Sequence, residues 1–180
     1  MDLGGLVARN ARTVPEKEGV VYEDRRYTWK EVNDRVNAIS NTLLKRGLKK
    51  GDKVAMWMFN SDLFVFTFYG IVKAGGVAVP VNFRLAPPEA EFIFDHCDTA
   101  TLVFDDIFEP AVKDMKARLS KIKNLYSAGN GSFPGIDAIS DIIAGGSKEE
   151  PPVKVDEFDE SEIIYTSGTT GRPKGAELTH

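Results

Sequence analysis

The sequence of 180 residues contains one cysteine and two histidines. A single cysteine excludes an internal disulfide framework and fits a reducing compartment. So few cysteines and histidines cannot build a zinc site without distant carboxylates. Cys97 does stand between His96 and Asp98, but neighbours at a helix end do not face one another, and a catalytic thiol needs its base close in space. We interpret this triplet as the carboxyl end of a helix.

Basic residues are not in excess either. Lys and Arg total 23 against 27 Asp and Glu, which gives a formal net charge of −4. Nucleic acid is therefore not expected as a partner, because no surplus of positive charge exists to neutralise its phosphates. The acidic pairs at 105–106 and 149–150 are predicted to be solvated surface rather than catalytic carboxylates.

Long hydrophobic runs are also missing. The most apolar run, 63–72, is much shorter than the ~20 residues that a membrane span needs, and it predicts a buried helix. The amino terminus lacks the basic and apolar regions of a signal peptide. Together these features predict a cytoplasmic protein without a membrane span.

Segments with strand-like and helix-like patterns alternate along the chain. The clearest helix begins at Thr28, where Thr28 and Glu31 form a capping-box pattern, and it ends near Gly47, which suits a left-handed cap. Further helices are predicted over 110–121 and 136–143. Strands alternating with helices of this length predict an α/β fold, a mostly parallel sheet with crossover helices.

The stretch 145–152 is the part of the chain most like a linker, because glycine, serine and proline are concentrated there. We therefore predict an N-terminal α/β subdomain over 1–144 and a linker over 145–161. Residues 162–180 are predicted to form a strand and a phosphate-binding loop that open the next subdomain.

Residues 166–175, which we call the hydroxyl-rich segment, carry the strongest functional signal. A bound polyphosphate needs backbone N–H groups that can approach closely, short hydroxyl donors and positive charge. The segment supplies all three: glycines at Gly168, Gly171 and Gly175, hydroxyls at Thr166, Ser167, Thr169 and Thr170, and an ammonium group at Lys174. This composition predicts a phosphate-binding loop, and a solvated polar surface loop is the alternative.

Two common phosphate-binding motifs do not fit. A Walker A sequence needs glycine directly before the lysine and Ser or Thr directly after it, but Pro173 and Gly175 occupy those places. A dinucleotide fingerprint is also missing, because the nearest match at 129–131 has Pro134 where the third glycine should stand.

The order of residues resembles the phosphate loop of the adenylate-forming superfamily, whose members include acyl-CoA synthetases, luciferases and the adenylation domains of peptide synthetases. The matching run is Tyr165-Thr166-Ser167-Gly168-Thr169-Thr170-Gly171-x-Pro173-Lys174-Gly175. Weaker motifs at 27–32, 47–55 and 70–82 follow in the family's order, so the resemblance covers most of the chain. Ala176 stands where the family usually has valine. The run Phe83-Arg84-Leu85 after Asn82, without the proline many members have, is more similar to fatty-acyl and related CoA ligases.

The resemblance implies that ATP activates a carboxylate as an acyl-adenylate, which is then passed to the thiol of coenzyme A. It implies a fatty acid as the expected acid, with ATP, Mg²⁺ and coenzyme A as cofactors and co-substrates, and it allows a homodimer of the full-length enzyme. The residues that it assigns to ATP binding are Thr166, Ser167, Gly168, Thr169, Thr170, Gly171, Lys174 and Gly175. Thr166 would also help to hold Mg²⁺, and Lys174 would be catalytic by drawing charge toward the leaving pyrophosphate.

The family's segments for adenine, ribose and the acyl group, and its C-terminal catalytic lysine, lie beyond such a loop. We therefore expect this chain to be the N-terminal part of a larger enzyme and to be inactive by itself. Two alternatives remain: a stand-alone nucleotide-binding module without catalysis, and an α/β scaffold whose loop binds nothing.

Overall fold

The computed structural model describes residues 2–129, 134–166 and 173–180. Its helices and strands alternate along most of the chain, in the order α1 (Leu3–Thr13), β1 (Glu18–Tyr22), β2 (Arg25–Thr28), α2 (Trp29–Lys45), β3 (Lys53–Trp57), α3 (Asp62–Lys73), β4 (Val77–Pro80), α4 (Pro87–His96), β5 (Thr99–Phe104), α5 (Glu109–Lys116), β6 (Asn124–Ser127), β7 (Asp137–Ala138), α6 (Ile139–Gly145), β8 (Glu160–Thr166) and β9 (Lys174–Thr179).

The described strands form one large sheet and one hairpin. Seven of them pair in the order β7-β6-β5-β3-β4-β8-β9, and β1 pairs with β2 as a separate antiparallel hairpin. Pairing is parallel from β7 through to β8, whereas β9 pairs antiparallel with β8. The predicted α/β fold with a mostly parallel sheet is therefore confirmed.

Helices cover both faces of this sheet. On one face, α1, α2, α3 and α6 pack over an apolar cluster that includes Val36, Ile71 and Met56. On the other face, α4 and α5 pack over a second cluster that includes Phe94, Met115 and Trp57. Strands β3, β4 and β5 are buried between the two helical layers, which explains why their sequences are mostly apolar.

Helix α2 follows the local signals that predicted it. Thr28 Oγ1 accepts the backbone N–H of Glu31, and Glu31 Oε2 accepts the backbone N–H of Thr28, so the capping box is formed. Gly47 has a positive φ of 91° after the helix end, a conformation that glycine adopts without strain. The prediction of this helix from its capping box and its closing glycine is confirmed.

The apolar run 63–72 lies within α3. Ser61 Oγ accepts the backbone N–H of Phe64 at 3.1 Å and caps the helix start. Phe66, Ile71 and Val72 are buried against the sheet and α2, so the run serves the core. None of the helices that the structure describes is long and apolar enough to cross a membrane.

Two helix boundaries differ from the predictions. The helix predicted over 110–121 ends at Lys116, and in the turn that follows Arg118 and Leu119 both donate their backbone N–H to Met115 O while Leu119 is buried. The helix predicted over 136–143 begins at Ile139, because β7 first pairs with β6. Pairing with β6 sets the second boundary, and the local sequence pattern does not show that pairing.

Candidate functional site

The structure describes the two ends of the hydroxyl-rich segment. Thr166 is the last residue of β8, and Lys174 is the first residue of β9. The predicted phosphate ligands Ser167, Gly168, Thr169, Thr170 and Gly171 lie outside the described residues. The described part of the site therefore consists of Thr166 and residues 173–175.

These ends lie at the carboxyl edge of the parallel sheet. β8 runs parallel to β4, which runs parallel to β3, and β3 runs parallel to β5. Thr166 therefore lies at the same edge as the carboxyl ends of those strands. Open α/β sheets bind their ligands outside this edge.

Thr166 and Lys174 are direct partners across the β8–β9 strand pair. Both are exposed. Opposite residues of an antiparallel pair project to the same face, with Cβ atoms ~5 Å apart, so a hydroxyl and an ammonium group are presented side by side. A hydroxyl can donate to a phosphate oxygen or ligate a metal ion, and an ammonium group offsets phosphate charge.

Tyr165 and Gly175 form the next pair and lie on the opposite face. A Cβ built at Gly175 would stand 2.8 Å from Ile163 Cγ2 and 3.1 Å from the Tyr165 ring. Gly175 therefore has a packing reason to be glycine, because the tyrosine ring lies across it. Sequence reasoning had assigned this glycine to close approach of phosphate, and that role stays a prediction.

The Tyr165 hydroxyl is held by the end of α4. It is hydrogen-bonded to Nδ1 of His96 at 2.7 Å. Burial, followed by the adjacent Cys97 thiol, raises the pKa of Tyr165 to about 12, so the hydroxyl keeps its proton at neutral pH. No spacing rule links His96 to a tyrosine 69 residues away, so sequence analysis missed this contact.

The triplet around Cys97 forms the end of α4, as predicted. His96 is the last helical residue, and the Cys97 Sγ lies 3.1 Å from Thr99 Oγ1. Burial raises the pKa of the Cys97 thiol, which keeps it protonated and a poor nucleophile. The imidazole of His96 contacts Tyr165 rather than activating the thiol.

The acidic pair at 105–106 is not the solvated surface that the sequence predicted. Both residues are half-buried just after β5. Asp105 accepts the backbone N–H of Phe59, which follows β3, and Asp106 accepts the hydroxyl of Ser127 at the end of β6. Both carboxylates therefore accept hydrogen bonds from residues at the ends of neighbouring strands and help to hold those ends together.

Thr166 is the predicted metal ligand that lies among the described residues. Among residues 2–129, 134–166 and 173–180, no group of three or more His, Cys, Asp or Glu side chains could hold a metal ion. Mg²⁺ commonly keeps several waters and binds through one or two protein ligands plus substrate phosphates. The exposed Thr166 hydroxyl beside Lys174 fits that mode of binding.

Comparison with known proteins links this arrangement to a family. A family model described as "AMP-binding enzyme" matches residues 7–180. The 4-hydroxybutyrate–CoA ligase 2 of Metallosphaera sedula is 32% identical over 183 residues, which cover 97% of this chain and 33% of that protein. The long-chain-fatty-acid–CoA ligase FadD13 of Mycobacterium tuberculosis is 32% identical over 181 residues, which cover 99% and 35%. The chain thus spans about a third of the length of these relatives.

Solved structures of CoA ligases and related enzymes also match this chain over about a third of their own length. The anthranilate CoA ligase AuaEII, crystallised with anthranoyl-AMP, superposes with a TM-score of 0.94 at 28% identity over 100% of this chain and 35% of that one. The ATP-bound MatB of Rhodopseudomonas palustris superposes with a TM-score of 0.84 at 27% identity, again over 100% and 35%.

Proposed function

The chain belongs to the family of AMP-binding enzymes, and from that premise we propose that it is the N-terminal part of an ATP-dependent acyl-CoA ligase. In the proposed reaction a carboxylate oxygen attacks the α-phosphorus of ATP and pyrophosphate leaves. The thiol of coenzyme A then attacks the acyl carbon, and AMP leaves. Fatty acids are the proposed substrate class, which the name of the mycobacterial relative supports.

The pairing of Thr166 with Lys174 at the carboxyl edge of the sheet carries this proposal. The Lys174 ammonium would stabilise the negative charge that develops on the leaving pyrophosphate, and the Thr166 hydroxyl would help to hold Mg²⁺. Mg²⁺, when bound, supplies charge neutralisation at the phosphates. We propose the intervening Ser167, Gly168, Thr169, Thr170 and Gly171, together with Gly175, as further phosphate ligands.

The exposed β9 strand supports the proposal that further segments belong to the enzyme. Every residue of β9 is exposed. Ile164 and Leu178, on the same face of the strand pair as Thr166, remain 40% and 42% exposed. Proteins normally cover an edge strand that carries apolar side chains. The division at 1–144, 145–161 and 162–180, the cytoplasmic location and a homodimeric assembly stay predictions from the sequence.

Calorimetric titration of the chain with Mg-ATP tests the proposal. We expect binding that Lys174→Ala weakens about 10- to 100-fold, because the change removes a charged hydrogen-bond donor. Lys123→Ala is the matched control, since Lys123 is exposed just before β6, at the opposite edge of the sheet.

Two results would contradict the proposal. The first is an unmodified chain that does not bind Mg-ATP, which would favour a scaffold whose loop binds nothing. The second is equal binding by the Lys174→Ala and Lys123→Ala variants, which would place the nucleotide elsewhere.

A further inference from the structure

Tyr165 joins the hydroxyl-rich segment to α4. Its hydroxyl is hydrogen-bonded to His96 Nδ1 at 2.7 Å, and the two rings meet edge to face with centroids 5.8 Å apart. Phe92, one turn earlier in α4, lies 5.3 Å from the imidazole. The imidazole is therefore flanked by two aromatic rings, which restrict its orientation toward the tyrosine hydroxyl.

The tyrosine contacts both strands that carry the proposed phosphate ligands. It directly precedes Thr166 on β8 and lies opposite Gly175, the neighbour of Lys174, on β9. The ring fits across Gly175 because no side chain occupies that position. A shift of the Tyr165 side chain would therefore disturb the ends of β8 and β9 together.

Other contacts hold these ends less well. β8 pairs with β4 through Ala78 and Glu162, in the amino half of β8. From Ile164 onward β8 is paired with β9, and β9 is exposed along its length. The ends at Thr166 and Lys174 thus project beyond the pairing with β4. In this region the Tyr165 hydroxyl connects β8 to α4 through its hydrogen bond with His96.

We infer that His96 is a positioning residue for the phosphate site: by holding Tyr165 it fixes the placement of Thr166 relative to Lys174. This inference rests on the proposed function and assigns to the end of α4 a role that the sequence did not indicate. His96 acts through Tyr165 and touches no substrate. The role requires a hydrogen-bond partner for the Tyr165 hydroxyl at the position of Nδ1, and the side-chain amide of asparagine can place a nitrogen or an oxygen there.

The test compares His96→Ala, Tyr165→Phe and the conservative His96→Asn with Tyr22→Phe, a control that removes a tyrosine hydroxyl from the separate β1–β2 hairpin. The first readout is amide hydrogen exchange over 160–166 and 173–180, with β3 as the internal reference. The second is the affinity for Mg-ATP.

We expect His96→Ala and Tyr165→Phe each to speed exchange of these amides about 2- to 10-fold and to weaken Mg-ATP binding by a similar factor, as loss of one hydrogen bond predicts. Exchange in β3 should not change, and His96→Asn should restore both readouts. The double variant should be no worse than either single variant, because both changes remove the same contact.

The outcomes separate the inference from the function on which it rests. Exchange that is unchanged, or that rises equally in β3, would overturn the inference, as would faster exchange with unchanged Mg-ATP affinity. If the unmodified chain binds no Mg-ATP, the proposed function fails and the inferred role in phosphate binding fails with it, while exchange still decides whether His96 holds the two strands.

Discussion

Gly175→Ala should destabilise the protein through packing. The added Cβ would stand 2.8 Å from Ile163 Cγ2 and 3.1 to 3.3 Å from two atoms of the Tyr165 ring. Neither neighbour can move freely, because Ile163 is buried in the cluster beneath α4 and Tyr165 is hydrogen-bonded to His96. Overpacking of this kind costs roughly 1–3 kcal/mol in the free energy of unfolding.

Thermal unfolding followed by circular dichroism measures this cost. In a protein of this size, 1 kcal/mol shifts Tm by about 2–4 °C, so Gly175→Ala should lower Tm by about 2 to 12 °C. Gly145→Ala is the matched control. An added Cβ there meets no atom within 4 Å, and alanine should be neutral or stabilise by up to about 1 kcal/mol.

The same variant separates two explanations for the glycine. If Gly175 were needed only for close approach of a phosphate, Gly175→Ala would keep its Tm and lose affinity for Mg-ATP. A Tm equal to that of Gly145→Ala would therefore refute the packing argument, whatever the affinity shows.

Two further predictions concern Glu150 and His180. Glu150→Ala should lower the free energy of unfolding, measured by urea denaturation, by about 1–2 kcal/mol, because it removes the carboxylate 2.8 Å from the buried Lys73 ammonium. Glu149 is exposed, so Glu149→Ala should change the free energy of unfolding by no more than about 0.5 kcal/mol. Equal effects of the two substitutions would contradict this prediction. Burial lowers the pKa of His180, whose Nδ1 accepts the Leu3 N–H at 3.2 Å. The unfolded chain thus binds the proton more tightly than the folded chain does. The contribution of His180 to the free energy of unfolding should therefore be complete above the ordinary histidine pKa of ~6.5 and be lost as the pH falls through the lowered pKa of the folded state. His180→Asn should reduce the loss of Tm between about pH 7 and about pH 5, and an unchanged loss would contradict the assignment.

The parts of the fold that obey local rules could be predicted from the sequence. Helix α2 carries its own capping box, its apolar stripe and a glycine after its end, so neighbours were not needed to find it. The short β7 strand could not be found, because Asp137 and Ala138 become a strand only by pairing with β6. Asp105 and Asp106 were misjudged for the same reason, since their donors come from other strands.

Some features of the candidate site could likewise be predicted from the sequence, and others depend on tertiary structure. The chemistry of Thr166 and Lys174 follows from their residue types and from the family resemblance. Their direct pairing follows from the antiparallel register of β8 and β9, which the sequence does not state. The contact between His96 and Tyr165 depends on where α4 ends relative to β8, and that placement is a property of the whole sheet.

The alternation of side chains along β8 and β9 places the proposed phosphate ligands on one face of the strand pair and the residues that pack toward α4 on the other. Tyr165 and Gly175 lie on the face toward α4, and Thr166 and Lys174 on the other. A slip of one residue would place the Cβ of Lys174 or of Ala176 against the tyrosine ring, where the present structure has room only for glycine. Gly175 therefore favours the register in which Thr166 and Lys174 lie directly opposite each other, so packing on the face toward α4 determines the geometry of the face that carries the hydroxyl and the ammonium group.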